Sequence, residues 1–246
     1  MTELTIAHWV FFAIVIFVSY AIRGSTGFGG VTVPLLALIM SVKTVAPMVT
    51  FLGIISSAMI LQKDYRHIAW PPLRKILPWC GVGVLIGIHF FKTLDSETLA
   101  NALGVFAIGY GVHSMWRTLR PAPERFLPMK AITPIAGTVG GFVGALFGAS
   151  AGMFFAMYLD LLHLGKVAFR ATVAAILFGL GIMRGAGYLW AGAYDRDALI
   201  ICAAAVPVMA VGVWAGNHLH ANLEPLKFKR FVAMVLMLSG VPLLLR

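Results

Sequence analysis

Apolar residues in this chain run in long uninterrupted stretches instead of alternating with polar ones. About 20 such residues, rising 1.5 Å each in a helix, match the hydrocarbon thickness of a bilayer. Eight stretches have that length, at about 4–22, 45–62, 73–91, 97–116, 131–149, 167–191, 198–216 and 228–245. Two more, about 31–41 and 153–163, are too short to span comfortably. Each short piece follows a glycine-rich interruption, GSTGFGG at 24–30 and GASAG at 148–152. The pattern predicts an all-α integral membrane protein of eight long spans and two short or broken helices. The first stretch follows Glu3 and ends at Arg23, whereas a secretory signal begins with positive charge and ends in small residues. It therefore reads as a retained first span.

The order of elements repeats. Laid with Gly24 over Gly148, each half has a long span, a Gly/Ser break, a short piece with a lysine beyond it (Lys43, Lys166), a polar turn and two further spans. The whole chain, 1–246, reads as one membrane domain: repeat one at 4–118, a linker at 119–130 and repeat two at 131–246. The linker region carries Pro121, Pro123 and Pro128. Internal repeats at this scale are an architectural signal in their own right.

Charge adds an orientation. Basic loops favour the cytoplasm. Residues 63–75 hold Lys63, Arg66, Arg74 and Lys75 against Asp64, and read inside. Residues 92–97 hold Lys92 against Asp95 and Glu97, and read outside. The linker region 117–130 has four basic residues against Glu124 and reads inside. In the second half the 195–197 turn sets one Arg between two Asp and reads outside, while 217–230 has three basic residues against Glu224 and reads inside. Equivalent turns thus face opposite ways, so the halves are expected to be inverted, each with five helical segments. The N-terminus is expected on the periplasmic side. Inverted repeats with interrupted helices are a secondary-transporter architecture.

Composition agrees. The 246 residues are 60% hydrophobic and 11% charged, with a mean hydropathy of +0.92. Too few polar residues remain to cover a soluble globule. The net charge of +10 fits loops beside anionic lipid better than nucleic acid, because no basic run with interleaved aromatics stands outside the apolar segments. Cys80 and Cys202 each lie inside an apolar stretch and read as small core residues. His89, His113 and His163 come without HExxH or CxxC spacing, so no metal is expected. The chain has no P-loop and no GxSxG elbow, and GSTGFGG lacks a βαβ context. No cofactor, no nucleic acid and no enzymatic activity are expected. The partners are the bilayer and a small anion, and association of copies is left open.

Candidate chemistry centres on the breaks. Scattered glycines such as Gly81, Gly83 and Gly87 read as helix-packing contacts. The run at 24–30 differs, because it sets Ser25 and Thr26 among Gly24, Gly27, Gly29 and Gly30 at an apolar depth. Freed backbone groups there must be buried in protein or line a watery cavity. Amides at a helix start, with hydroxyls beside them, make an anion cradle. Gly148, Ser150 and Gly152 offer the matching half. Two such breaks at equivalent positions point to a transporter binding site.

These segments carry a family resemblance. GSTGFGGVTVPLL and GALFGASAGMF, each ending the first span of its half, resemble the sulfite exporter TauE/SafE family, and the likeness covers nearly the whole chain. Gly29, Gly30 and Pro34 keep the family pattern, whereas Ala149 and Ala151 stand where more glycine is usual and no proline follows. The resemblance implies a bacterial-type inner-membrane protein that moves small sulfur-containing or organic anions.

Ionisable residues at membrane depth complete the candidates. Arg184 reads either as a ligand for an oxyanion, through its planar fork, or as a side chain snorkelling to the interface. Arg23, beside the first break, reads as a substrate contact or a cytoplasmic anchor. Arg170 reads as an interfacial anchor that also borders the site. Asp160 reads as the partner of Arg170 or Arg184, or as the proton carrier that couples transport. The leading expectation is export of sulfite or a short organosulfonate. An uptake permease, a carrier of another small carboxylate, an anion channel, and a membrane enzyme or assembly subunit are the alternatives.

Overall fold

The computed structural model describes residues 6–119, 129–194, 196–218 and 225–245. Within them every regular element is helical. The order is α1 (Ile6–Thr26), α2 (Thr32–Leu36), α3 (Val42–Asp64), α4 (Trp70–Thr93) and α5 (Ser96–Leu119). The second half follows with α6 (Met129–Phe147), α7 (Gly152–Asp160), α8 (Lys166–Trp190), α9 (Arg196–His218) and α10 (Pro225–Leu244). Among the described residues six helices are long and apolar enough to cross a membrane: α1, α3, α4, α6, α8 and α9. Helix α5, 24 residues long, falls outside that set, and α10 contributes a shorter apolar stretch, Arg230–Leu244.

Glycine explains how the helices pair. Without a hydrophobic force between helices in lipid, close backbone approach supplies the contact energy. A Cβ on Gly83 would sit 2.1 Å from the Thr138 carbonyl oxygen, and one on Gly141 would sit 2.3 Å from that of Cys80, so α4 and α6 touch backbone to backbone. Gly212 and Gly216 do the same for α9 against α1, and Gly111 and Gly240 for α10 against α5. Gly83 and Gly87 are thus packing contacts, whereas Gly81 meets only the Met183 sulfur. Cys80 and Cys202 are free, buried thiols.

Two helix pairs, α5 with α10 and α3 with α8, run antiparallel. On α5 and α10, Gly104 lies against Gly240 and Leu244 while Gly111 lies against Ala233 and Met237. On α3 and α8, Ile54 lies against Gly181 and Gly185, whereas Asp64 meets Arg170. Helices α3 and α8 form the centre, with α4 packed on α6 and α8, and α9 packed on α1 and α3. The outward faces carry exposed Leu85, Val105, Ile135, Leu189, Trp190, Trp214 and Leu238. That is an apolar coat suited to lipid.

The ends of the helices correct the expected boundaries. Helix α1 continues through Gly24, Ser25 and Thr26, so the first break begins at Gly27 and not at Gly24. The Thr26 hydroxyl bonds the Ile22 carbonyl oxygen at 2.9 Å and the Phe28 carbonyl oxygen at 2.8 Å, which keeps a threonine comfortable in the last turn. Gly27 then takes φ +88° and donates to the Arg23 carbonyl at 2.8 Å, a left-handed helix stop. Gly148, at φ +63°, ends α6 in the same backbone region. The breaks therefore register Gly27 with Gly148, three residues from the expected alignment. The short piece at 31–41 holds only the five residues of α2 before turns take over. Most of the linker lies outside the described residues, as do Asp195 and the 219–224 loop.

At one end of the bundle, Ser41 caps α3 and its hydroxyl meets that of Ser96, tying α3 to the start of α5 at 3.0 Å. Asp95 caps α5. Bonds from Thr98, and then from the Glu97 amide, hold its carboxyl below the usual aspartate range.

Candidate functional site

The two breaks meet in the core. A Cβ on Gly30 would fall 2.8 Å from the Met153 sulfur. One on Gly152 would fall 2.9 Å from the Phe28 Cβ and 3.5 Å from the Gly29 carbonyl oxygen. Gly148 packs against Val33 of α2 and Ala46 of α3. Of the sequence-derived residues, the structure thus brings Gly29 and Gly30 of the first break against Gly152 and Met153 of the second, far apart in the chain, while Gly27 meets Arg170. Gly24 lies elsewhere, against Val213 on the α9 face of α1. Ser25 is half-buried in the last turn of α1. Thr26 spends its hydroxyl on local backbone. The Ser150 side chain is outside the described residues.

A buried arginine stands beside each break. Arg184 is 3% exposed, so it does not snorkel; the interfacial reading is overturned. One of its terminal nitrogens donates to the carbonyls of Gly144, at 2.8 Å, and Gly148. These are the orphan carbonyls at the C-terminal end of α6, where a helix carries partial negative charge. Arg23 is also 3% exposed, which overturns its reading as a cytoplasmic anchor. It donates to the Ser57 hydroxyl at 2.8 Å and the Gly53 carbonyl at 3.3 Å, both on α3. The Arg23 Cβ would lie 3.8 Å from a Cβ on Gly29, so its stem lines the first break.

Three tyrosines surround this pair, and sequence reasoning missed them. Tyr20 lies under Arg23, with 6.0 Å from guanidinium to ring centroid, and points its hydroxyl at the Val49 carbonyl. Tyr188 donates to the Ala145 carbonyl at 2.6 Å, and Tyr194 to the Pro47 carbonyl at 3.1 Å. The spacing was a usable signal: Tyr20 precedes Arg23 by three residues and Tyr188 follows Arg184 by four, so each shares a helix face with its arginine.

Arg170 ties helix ends together. Its guanidinium reaches Asp64 at 3.4 Å and Asn217, joining the ends of α3, α8 and α9. Its backbone presses on the first break, 2.7 Å from where a Gly27 Cβ would lie. Asp64, which reads from sequence as loop charge, is in fact buried here at 7% exposure. The expected pairing of Asp160 with Arg170 or Arg184 is replaced by these contacts. Asp160 sits exposed at the end of α7, bordering a small cavity with Tyr110, Ser114 and Met153. At the far end of α3 and α8 a cavity of about 260 Å³ opens between Lys43, Thr44, Lys92 and residues 191–193. No cluster of metal-ligating residues occurs among the described residues.

An all-helical membrane bundle with two crossed helix breaks and a buried arginine at each has the makings of a membrane transporter. The family model described as Sulfite exporter TauE/SafE matches residues 11–243, and the chain belongs to that family of membrane transporters. A curated relative from Comamonas testosteroni, named "Probable inner membrane transporter protein TsaS", is 31% identical over 191 residues, covering 73% of this chain and 74% of the relative. No solved structure matches the chain.

Proposed function

We propose that this chain is a secondary transporter that exports a small anion, sulfite or a short organosulfonate, across the inner membrane. The meeting of the two glycine breaks, each with a buried arginine, carries the reading. Gly27, Gly29, Gly30, Gly148 and Gly152 let the backbones close on the ligand, and Arg23 and Arg184 supply the charge. Ser25, Thr26, Ser150 and Arg170 border the site, and Asp160 is the coupling candidate. The family name supports the substrate class, and the relative's name supports the membrane. A negative-inside potential favours anion exit by about 2.3 kcal/mol per charge per 100 mV. Purified protein in liposomes tests this. Saturable sulfite efflux driven by an imposed potential is the expected result. Ohmic current would replace the carrier by a channel, and absence of flux would end the transport reading.

The architecture we infer is eight spans and two broken helices, as inverted repeats at 4–118 and 131–246 with the N-terminus periplasmic. Exchange of α1–α5 for α6–α10 turns the α4–α6 pair into α9–α1 and the α4–α8 pair into α9–α3, and these pairs all occur. Equivalent helices α3 and α8 run antiparallel, as do α5 and α10, which supports an axis lying in the membrane plane. Cysteines placed at Arg66 and Ala191 should therefore label from opposite sides with an impermeant maleimide, Ala191→Cys from outside. The buried native thiols give little background. Labelling of both from one side would remove the inversion.

Gly30→Val gives a sharper test of the cradle. The Met153 side chain can swing aside, so folding should survive, but the breaks could no longer close. Flux should fall more than about ten-fold, at least 1.4 kcal/mol of lost stabilisation, with unchanged yield. Normal flux would make the first break a packing feature only.

A further inference from the structure

We propose that Arg23 and Arg184 act as one charge-matched receptor for a doubly charged oxyanion, so that the species bound is a dianion in preference to a monoanion. This rests on the reading above that the two arginines line the transport site. It adds the charge state of the ligand, which neither the family nor the relative specifies.

Both guanidiniums are buried and approach the same turn of α3: Arg23 bonds the Gly53 carbonyl, and the next residue, Ile54, packs on Gly181 and Gly185 to either side of Arg184. Arginine does not shed its proton inside a protein, so both charges persist. Yet every partner shown for them is neutral: carbonyls of Gly53, Gly144 and Gly148, and the Ser57 hydroxyl. Carbonyl dipoles soften such charges without cancelling a whole one. The Nε of each is buried and has no hydrogen-bond partner. Among the described residues the buried carboxylate is Asp64, and it faces Arg170. Asp160, Asp95 and Glu97 are exposed at helix ends and turns.

Two charges with no opposite charge beside them among the described residues are costly to hold in a core. They also repel each other across a low-dielectric gap. A ligand bearing one negative charge leaves the pair half compensated, whereas one bearing two cancels both. The free Nε groups supply donors from two helices, α1 and α8, which suits an ion with several equivalent oxygens. Sulfite as its dianion, sulfate and thiosulfate share this chemistry. Methanesulfonate has the shape of sulfate with a methyl group in place of one charged oxygen.

The test is competition against radiolabelled sulfite on the purified protein at pH 8, read beside liposome flux. Sulfate or thiosulfate should displace label at concentrations about ten-fold lower than methanesulfonate or nitrate, or better. In Arg23→Gln the ratio should collapse toward one, and in Arg23→Lys, which keeps the charge, it should persist. That pair separates charge matching from loss of folding. Methanesulfonate competing as well as sulfate and thiosulfate in a wild-type protein that carries anions would overturn the dianion assignment and leave the transport reading standing. An unchanged ratio in Arg23→Gln would overturn it too. Absence of both label binding and flux would overturn the transport reading itself, and this inference with it.

Discussion

Gly216→Ala should prevent recovery of folded protein, although it adds a single methyl group. That carbon would lie 1.9 Å from the Ala21 carbonyl oxygen and 2.8 Å from its carbonyl carbon. The obstacle is backbone, so no rotamer change relieves it, and α9 must move off α1 by about 1 Å. Helix cores packed to crystal-like density do not absorb such a shift. Overpacking of this kind costs about 1–3 kcal/mol in ordinary cores, and more where backbone is met directly. Detergent extracts run on size exclusion should show loss of the monodisperse peak or a large fall in melting temperature. Gly109→Ala is the control, since nothing lies within 4 Å of its added carbon. It should be neutral or stabilising, because alanine favours helix over glycine by about 1 kcal/mol. If Gly216→Ala melted with the wild type, the α1–α9 contact would be wrong.

Arg184 should have the largest effect on transport, and its substitutions separate two jobs. Arg184→Met leaves the terminal carbonyls of α6 unpaired in a core, where each charged hydrogen bond lost is worth about 1.5–3 kcal/mol. Both thermal stability and flux should drop. Arg184→Lys keeps a cation able to reach those carbonyls, so the fold should largely recover. It lacks the second face of the guanidinium, with the Nε that has no protein partner. Flux should therefore stay more than about ten-fold below wild type, a loss near one charged hydrogen bond. Wild-type flux in Arg184→Lys would reduce Arg184 to a helix cap and move the anion elsewhere.

The helices were legible because bilayer thickness imposes a length that apolar runs reveal directly. The exact stop of α1 was not. Thr26 and Ser25 look like a polar break in sequence, but a threonine hydroxyl can bond back to the carbonyl four residues earlier and extend the helix. The glycines of the two breaks were visible as composition. Their contact, Gly152 on Phe28 and Gly30 on Met153, depends on how distant helices cross, which no local pattern encodes. The arginines stood out as charges at depth, but their partners are backbone carbonyls 36 and 40 residues away for Arg184, invisible to residue type. Asp64 misled for a related reason. Its neighbours Lys63, Arg66 and Lys75 make a basic loop, and its pairing with Arg170 arises only when α3 and α8 pack antiparallel.

The packing of α1 on α9 also bears on how the chain is made. Gly24 meets Val213, nearly 190 residues later, and Gly216 closes on Ala21. At translation rates of about 5–20 residues per second, α1 leaves the ribosome roughly 10–40 s before its partner. For that interval the face of α1 that holds Phe17, Ala21 and Gly24 has no α9 against it, although Arg23 can reach Ser57 of α3 as soon as that helix is made. An unfinished chain is thus marked by an open backbone face along its first span, which Gly212 and Gly216 close in the finished one. Nascent chains cut before α9 should be cleared quickly by membrane proteases, while full-length chains persist.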